Sequence, residues 1–207
     1  MRAYCALTGT LSTKALLIGA GWRWLVTPQN CRKNMRDYAL DNGAWGSYQQ
    51  KRPFDAEAFE KAVTAYGAEA DFIVLPDIVM GGARSLALSV SYVGRLSTVN
   101  QQLLIPVQNG MALADIAPLL NQRIGIFLGG DTEWKLETGH AWGKLAYTAN
   151  CYYHVGRVNT ARRILWCSSI GADSFDGSSV ARFPSTLTLL ENARKQPSVF
   201  RKNKIPS

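Results

Sequence analysis

Short apolar runs recur along the chain, and each closes on a polar or glycine-rich cluster. Arg36-Asp37-Tyr38-Ala39-Leu40 ends on Asp41-Asn42-Gly43, the run 70–75 on Pro76-Asp77, and Leu103-Leu104-Ile105-Pro106-Val107 on Gln108-Asn109-Gly110. The run 123–128 ends on Gly129-Gly130-Asp131, Cys151-Tyr152-Tyr153-His154-Val155 on Gly156, and 170–175 on Asp176-Gly177. Between them the spacing of apolar residues changes to that of amphipathic helices, predicted over 55–66, 83–96, 112–120, 132–149 and 160–168, the last with Asn159 as its N-cap. Strands alternating with helices call for a parallel sheet covered by helices. Polar residues at six successive strand ends favour a closed barrel, because an open doubly wound sheet gathers its site at one switch point. The expected fold is therefore α/β, a compact (β/α)8 TIM-like barrel, with one or two units abbreviated to fit the length.

The chain has 207 residues, of which 47% are hydrophobic and 18% charged. That is enough apolar chain for a full core and too much for a disordered one. A single domain over 1–207 is expected, with a basic tail over about 194–207 that carries Arg194, Lys195, Arg201, Lys202 and Lys204 and no acid. No run approaches the roughly 20 apolar residues that a membrane span needs. Thr8, Thr10, Ser12, Thr13 and Lys14 interrupt the core that a signal peptide would require, so a cytoplasmic protein is expected. Cys5, Cys31, Cys151 and Cys167 form no close pair, and His140 and His154 are the two histidines, so neither a disulfide framework nor a metal site is expected. A formal charge of +8 points to an anionic partner, nucleic acid first. The basic tail reads equally as a solvated terminus or a phosphate-contacting arm, and Arg157, Arg162 and Arg163 as phosphate contacts or a solvated helix face.

Candidate chemistry lies at the strand ends. Asp41, Asp77 and Asp176 would stand at matching ends of barrel strands, beside Gln108 and the Gly129-Gly130 pair. One such aspartate alone is commonly a cap or a turn residue. Together, two carboxylates can do nucleophilic and acid/base work at a sugar's anomeric carbon. A third, with an amide and backbone N–H groups, can read a purine edge, and Trp45 and Tyr153 can stack on the base.

The segments LDNGAW, LPDIV, PVQNGM, FLGGDTE, YHVGRVN and GADSFDGSS, spread over about residues 36 to 180, resemble the ordered motifs of tRNA-guanine transglycosylases. The resemblance is greater to the short, phage-type relatives that place 7-deazaguanine bases in DNA. It implies Asp176 as the nucleophile and Asp41 as the general acid/base, with Asn42 in place of the family's serine and Trp45 as the stacking aromatic. It further implies Asp77 as the reader of the purine N1 and exocyclic amine, and Gln108 as donor to the base carbonyl. Gly129, Gly130 and the backbone of Asp131 would contact the same carbonyl, with Tyr153 as the second wall around the base. The family's zinc motif, CxCxxC with a later His, is absent, which turns the expectation from tRNA towards DNA.

The expected activity is exchange of guanine in DNA for a preQ0-like 7-deazaguanine base, through a covalent glycosyl-aspartate and with no cofactor. A phage-encoded copy would act in the host cytoplasm. The alternatives are the same exchange on tRNA and a non-catalytic nucleic-acid-binding subunit of such an enzyme. A third is an unrelated barrel enzyme that uses Gly129-Gly130 to hold phosphate.

Overall fold

Alternation along the strands explains the barrel. In β5 (Gln102–Val107) the side chains of Leu103, Ile105 and Val107 join the large apolar cluster under the helices, while Leu104 joins a smaller one. That smaller cluster, with Tyr4, Ala39, Phe72 and Val74, fills the barrel axis. A strand with apolar residues on both faces can be buried on both. The computed structural model describes residues 1–7 and 9–197. In it, eight parallel strands close in chain order, β1 (Arg2–Ala6), β2 (Arg23–Val26), β3 (Tyr38–Leu40), β4 (Phe72–Val74), β5, β6 (Ile124–Leu128), β7 (Tyr153–Val155) and β8 (Ser174–Asp176). The expected (β/α)8 barrel is therefore present. Closure is made by β8 against β1, where Tyr4 lies opposite Asp176.

The helical layer is uneven. It comprises α1 (Leu11–Gly19), α2 (Ala44–Gln49), α3 (Ala56–Tyr66), α4 (Ala83–Arg95) and α5 (Leu113–Ile116), then α6 (Thr132–Thr148), α7 (Ala161–Ser169), α8 (Ser179–Arg182) and α9 (Leu187–Lys195). No helix joins β2 to β3, which makes this the abbreviated unit. The helix expected over 112–120 breaks into α5 and a 3₁₀ turn, Ala117–Leu119, because Pro118 supplies no N–H to continue it. The cap of α7 is Thr160, whose side chain accepts from the Arg163 N–H. The expected cap, Asn159, instead accepts from the Ser178 and Ser179 N–H groups, each at 2.9 Å, and so ties the loop after β7 to the one after β8.

The axis is aromatic at mid-height. Tyr4 meets Phe72 edge-on at 5.2 Å, and Phe127 stacks on His154 at 4.8 Å. Gly125 makes room for this filling, since a Cβ there would lie 2.3 Å from the Tyr152 carbonyl.

The chain ends are fastened together. Glu191 of α9 accepts from the Trp22 indole at 2.7 Å and from Arg194 at 2.6 Å, and Arg194 reaches the Ala20 carbonyl at 2.9 Å. Arg194 is thus a fastening rather than the start of a free phosphate-binding arm. Arg201, Lys202 and Lys204 lie outside the described residues. Among the described residues no helix is long and apolar enough to cross a membrane.

Candidate active site

The strand ends bring Asp41, Asp77 and Asp176 together at one mouth of the barrel. Burial, then the charges of Asp176 and Asp77, push Asp41 up to about 7, against the Gly43 and Asn42 N–H groups that pull it down. Burial likewise pushes Asp77 up to about 6, opposed by the Asn42 amide. A carboxylate near neutrality can both give and take a proton at physiological pH.

Asp176 is held from two sides. Its Oδ1 lies 3.1 Å from Nε2 of His154, and the Arg157 backbone N–H donates to Oδ1 at 3.3 Å and Oδ2 at 3.2 Å. His154 is fully buried on β7, and its Nδ1 lies 2.7 Å from the Ser174 hydroxyl. With Ser174 donating to Nδ1, Nε2 carries the proton and donates to Asp176. Oδ1 therefore takes two donors, and Oδ2 is the freer oxygen. Gly156 keeps this packing possible, because a Cβ there would stand 2.8 Å from the Phe127 ring and 3.4 Å from Asp176 Oδ1. The sequence reading left His154 without a role. Strand alternation was the available signal, since His154 lies opposite Ser174 and both share a face with Asp176.

The other expected site residues divide. Trp45 stands at the mouth, 43% exposed, stacked with Tyr48 at 5.8 Å, and the Arg157 guanidinium lies over its ring. Gly130 adopts φ 71°, its carbonyl accepts from the Arg157 side chain, and its N–H has no partner among the described residues. Gly129 donates its N–H to the Val107 carbonyl at 2.8 Å and so belongs to the strand ladder.

Four expectations are corrected. Tyr153 points outward: it is fully buried, donates to the Gly139 carbonyl of α6 at 3.0 Å, and cannot wall a base in the mouth. Asp131 caps α6, accepting from the Trp134 N–H at 2.9 Å, and its own N–H donates to Asn109 at 3.0 Å. The Asp131 backbone N–H is thus already engaged, unlike that of Gly130. Gln108 is buried with its amide nitrogen donating to the Ile78 carbonyl at 2.9 Å and to Ser85 at 2.8 Å, so it braces the loop of Asp77. Asn42 is also a brace, donating to the Leu75 carbonyl at 2.6 Å and Asp77 at 2.9 Å while accepting from the Ala44 N–H.

Lys135 of α6 is a buried cation behind the mouth, donating to the Gly156 carbonyl at 2.6 Å. Burial, the largest influence, pulls it down to about 8. Among the described residues no group of three or more His, Cys, Asp or Glu is placed to hold a metal ion. Two open grooves, of about 590 and 560 Å³, flank β2 and are lined by Arg23, Met35 and Asp37 among others, but by none of the three strand-end carboxylates.

No protein-family model matches the chain, and no curated protein matches it either. Solved structures do. RipC from Yersinia pestis superposes with a TM-score of 0.56 at 13% identity, covering 96% of both chains. Malate synthase from Haloferax volcanii gives 0.55 at 10% identity, over 97% of this chain and 74% of that one. Tryptophan synthase from M. tuberculosis gives 0.54 at 11%, over 93% and 89%. At such identities these likenesses speak for the barrel alone.

Proposed function

We propose that this protein is a guanine transglycosylase that exchanges guanine in a DNA strand for a 7-deazaguanine base. One observation carries the reading: two carboxylates in contrasting settings share the mouth, Asp176 held by N–H donors and Asp41 raised to about 7. Separated environments of this kind divide the roles of nucleophile and acid/base.

In this reading the freer oxygen, Oδ2 of Asp176, attacks C1′ of a deoxyguanosine. The C1′–N9 bond breaks as the C1′–O bond forms, and Asp41 gives a proton to the departing guanine. The incoming base then loses its ring proton to Asp41 and displaces Asp176, so two inversions retain the configuration at C1′. In this reading Asp77, braced by Asn42 and Gln108, accepts from N1 and the exocyclic amine. On the same reading the Gly130 N–H donates to the base carbonyl. Reaching C1′ requires a flipped nucleotide or a single strand, at a few kcal/mol, and stacking on Trp45 returns about 1–3 kcal/mol. The +8 charge supplies affinity for the backbone.

The test offers radiolabelled guanine or preQ0 with guanine-containing DNA and with tRNA, side by side, using Asp176→Ala as control. Label entering DNA alone, and lost in the variant, supports the reading. Label entering tRNA keeps the chemistry and changes the polymer, whereas label entering neither ends the proposal.

A further inference from the structure

Arg157 follows β7 at φ 59°, a left-handed value that non-glycine residues seldom adopt. That turn sends its backbone and its side chain to different partners. The N–H points at both oxygens of Asp176. The guanidinium carbon lies 4.8 Å from the centre of the Trp45 ring, and Nη2 donates to the Gly130 carbonyl. One residue thus links the loops after β3 and β6 to the strand that carries Asp176. Its two anchorages differ in kind. The backbone contact belongs to the barrel, while the side chain rests on a half-exposed ring and a neutral carbonyl, feeling the Asp131 carboxylate through its charge but with no ion pair to a carboxylate among the described residues. Arg157 itself is exposed, so its guanidinium can leave without unpacking the core.

We propose that Arg157 is an exchange residue: its guanidinium holds the stacking face of Trp45 in the free protein, yields it to an arriving nucleobase, and then pairs with a phosphate flanking that nucleotide. The inference rests on the base-exchange reading above. A guanidinium is planar and delocalised, so it fits an indole face much as a base does. A nucleobase offers a wider ring system without a charge that must stay hydrated, so it takes the face. The freed fork then finds two phosphate oxygens in place of one carbonyl, a stronger, charge-assisted contact. Throughout, the backbone N–H keeps Arg157 beside Asp176, which delivers the cation next to the reacting sugar.

This arrangement discriminates. A free nucleoside must displace the guanidinium and offers it nothing in return. A nucleotide within a strand displaces it and supplies the phosphate. Arg157 therefore favours strand over nucleoside, a selectivity that a merely structural arginine would not confer.

Calorimetric titration of the full chain with deoxyguanosine, and with a single-stranded pentanucleotide carrying one central guanine, tests this. Arg157→Gly keeps the N–H and suits the left-handed backbone, while Arg157→Lys keeps the charge without the plane. The glycine variant is expected to bind deoxyguanosine about threefold tighter, since the competing cation–π contact is gone. It should bind the pentanucleotide about tenfold more weakly, having lost a charge-assisted phosphate contact. The lysine variant should share the gain for the nucleoside and hold the pentanucleotide within about threefold of the wild type. If both ligands weaken together in the glycine variant, or neither changes, the exchange role is overturned while the base-exchange reading stands. If the wild type binds neither ligand, both fall.

Discussion

The two ends of the barrel hold the same residue type in opposite circumstances. At the lower end Asp71 is fully paired: Arg23 grips it with Nε at 2.6 Å and Nη2 at 2.8 Å, and the Tyr4 hydroxyl donates at 3.0 Å. At the upper end Asp41 feels the charges of Asp77 and Asp176, and the guanidinium of Arg157 turns to a ring and a carbonyl. Carboxylates that serve folding are given cations; here burial lifts two of the three well above the ordinary value of 3.8, and Asp41 also feels the charges of the other two. A fold keeps such repulsion where it is useful for something else. The lower end holds the barrel together, and the upper end holds the carboxylates of the proposed chemistry.

The contrast breaks most sharply at Asp176. Asp176→Ala should abolish base exchange, a loss of about 10⁴-fold or more, with the thermal midpoint little changed, because the charge lifted from beside Asp41 offsets the two N–H donors left unpaired; exchange assays and calorimetry read the two separately. Asp41→Asn should cost about 10²–10³-fold in exchange. It also carries a pH signature. Asp41 has a folded value near 7 against 3.8 unfolded, so the stability that its protonated form contributes is fully present below about pH 4 and is lost as pH rises through 7. Asp41→Asn should flatten that decline in denaturant titrations across the same window. At the other end, Asp71→Asn should leave exchange intact and destabilise by about 2 kcal/mol, lowering the midpoint by about 5 °C. Activity lost with Asp71, or a midpoint lowered with Asp176, would erase the division of labour. His154→Phe keeps the aromatic packing but removes a donor to Asp176, and should lower kcat about tenfold with KM little changed. The smallest effect is expected at Lys135, where Met would relieve a buried charge and raise the midpoint by a few degrees, about 1 kcal/mol.

Six of the eight strands were legible because each apolar run closes on a polar cluster. β1 and β2 were not: Arg2–Ala6 and Arg23–Val26 lead into no Gly- or Asp-rich end, and the apolar stretch around α1 reads like an interrupted leader. Among the strand-end residues the carboxylates were readable by position alone, since any residue just past a strand reaches the mouth. Side-chain direction was harder. Tyr152, Tyr153 and His154 are consecutive, so only the strand's phase tells which of them faces the axis, and Tyr153 faces the helices. Gln108, Asn42 and Asp131 were misjudged for another reason. Amides and capping carboxylates satisfy buried or terminal backbone groups as readily as they meet ligands, and that choice depends on neighbours distant in the chain. The left-handed turn at Arg157 carries no local signature, because arginine does not advertise a positive φ.

The seam between β1 and β8 also orders events in time. Of the eight barrel strands, the one that carries Asp176 is the last to be synthesised, and it supplies the final ladder. Until it arrives, the nascent sheet has two bare edges and the mouth lacks one of its carboxylates. A chain halted before residue 176 therefore lacks a mouth carboxylate and is prone to edge-to-edge association. Closure of the barrel and arrival of the proposed nucleophile are a single step, so no intermediate of synthesis carries all three strand-end carboxylates.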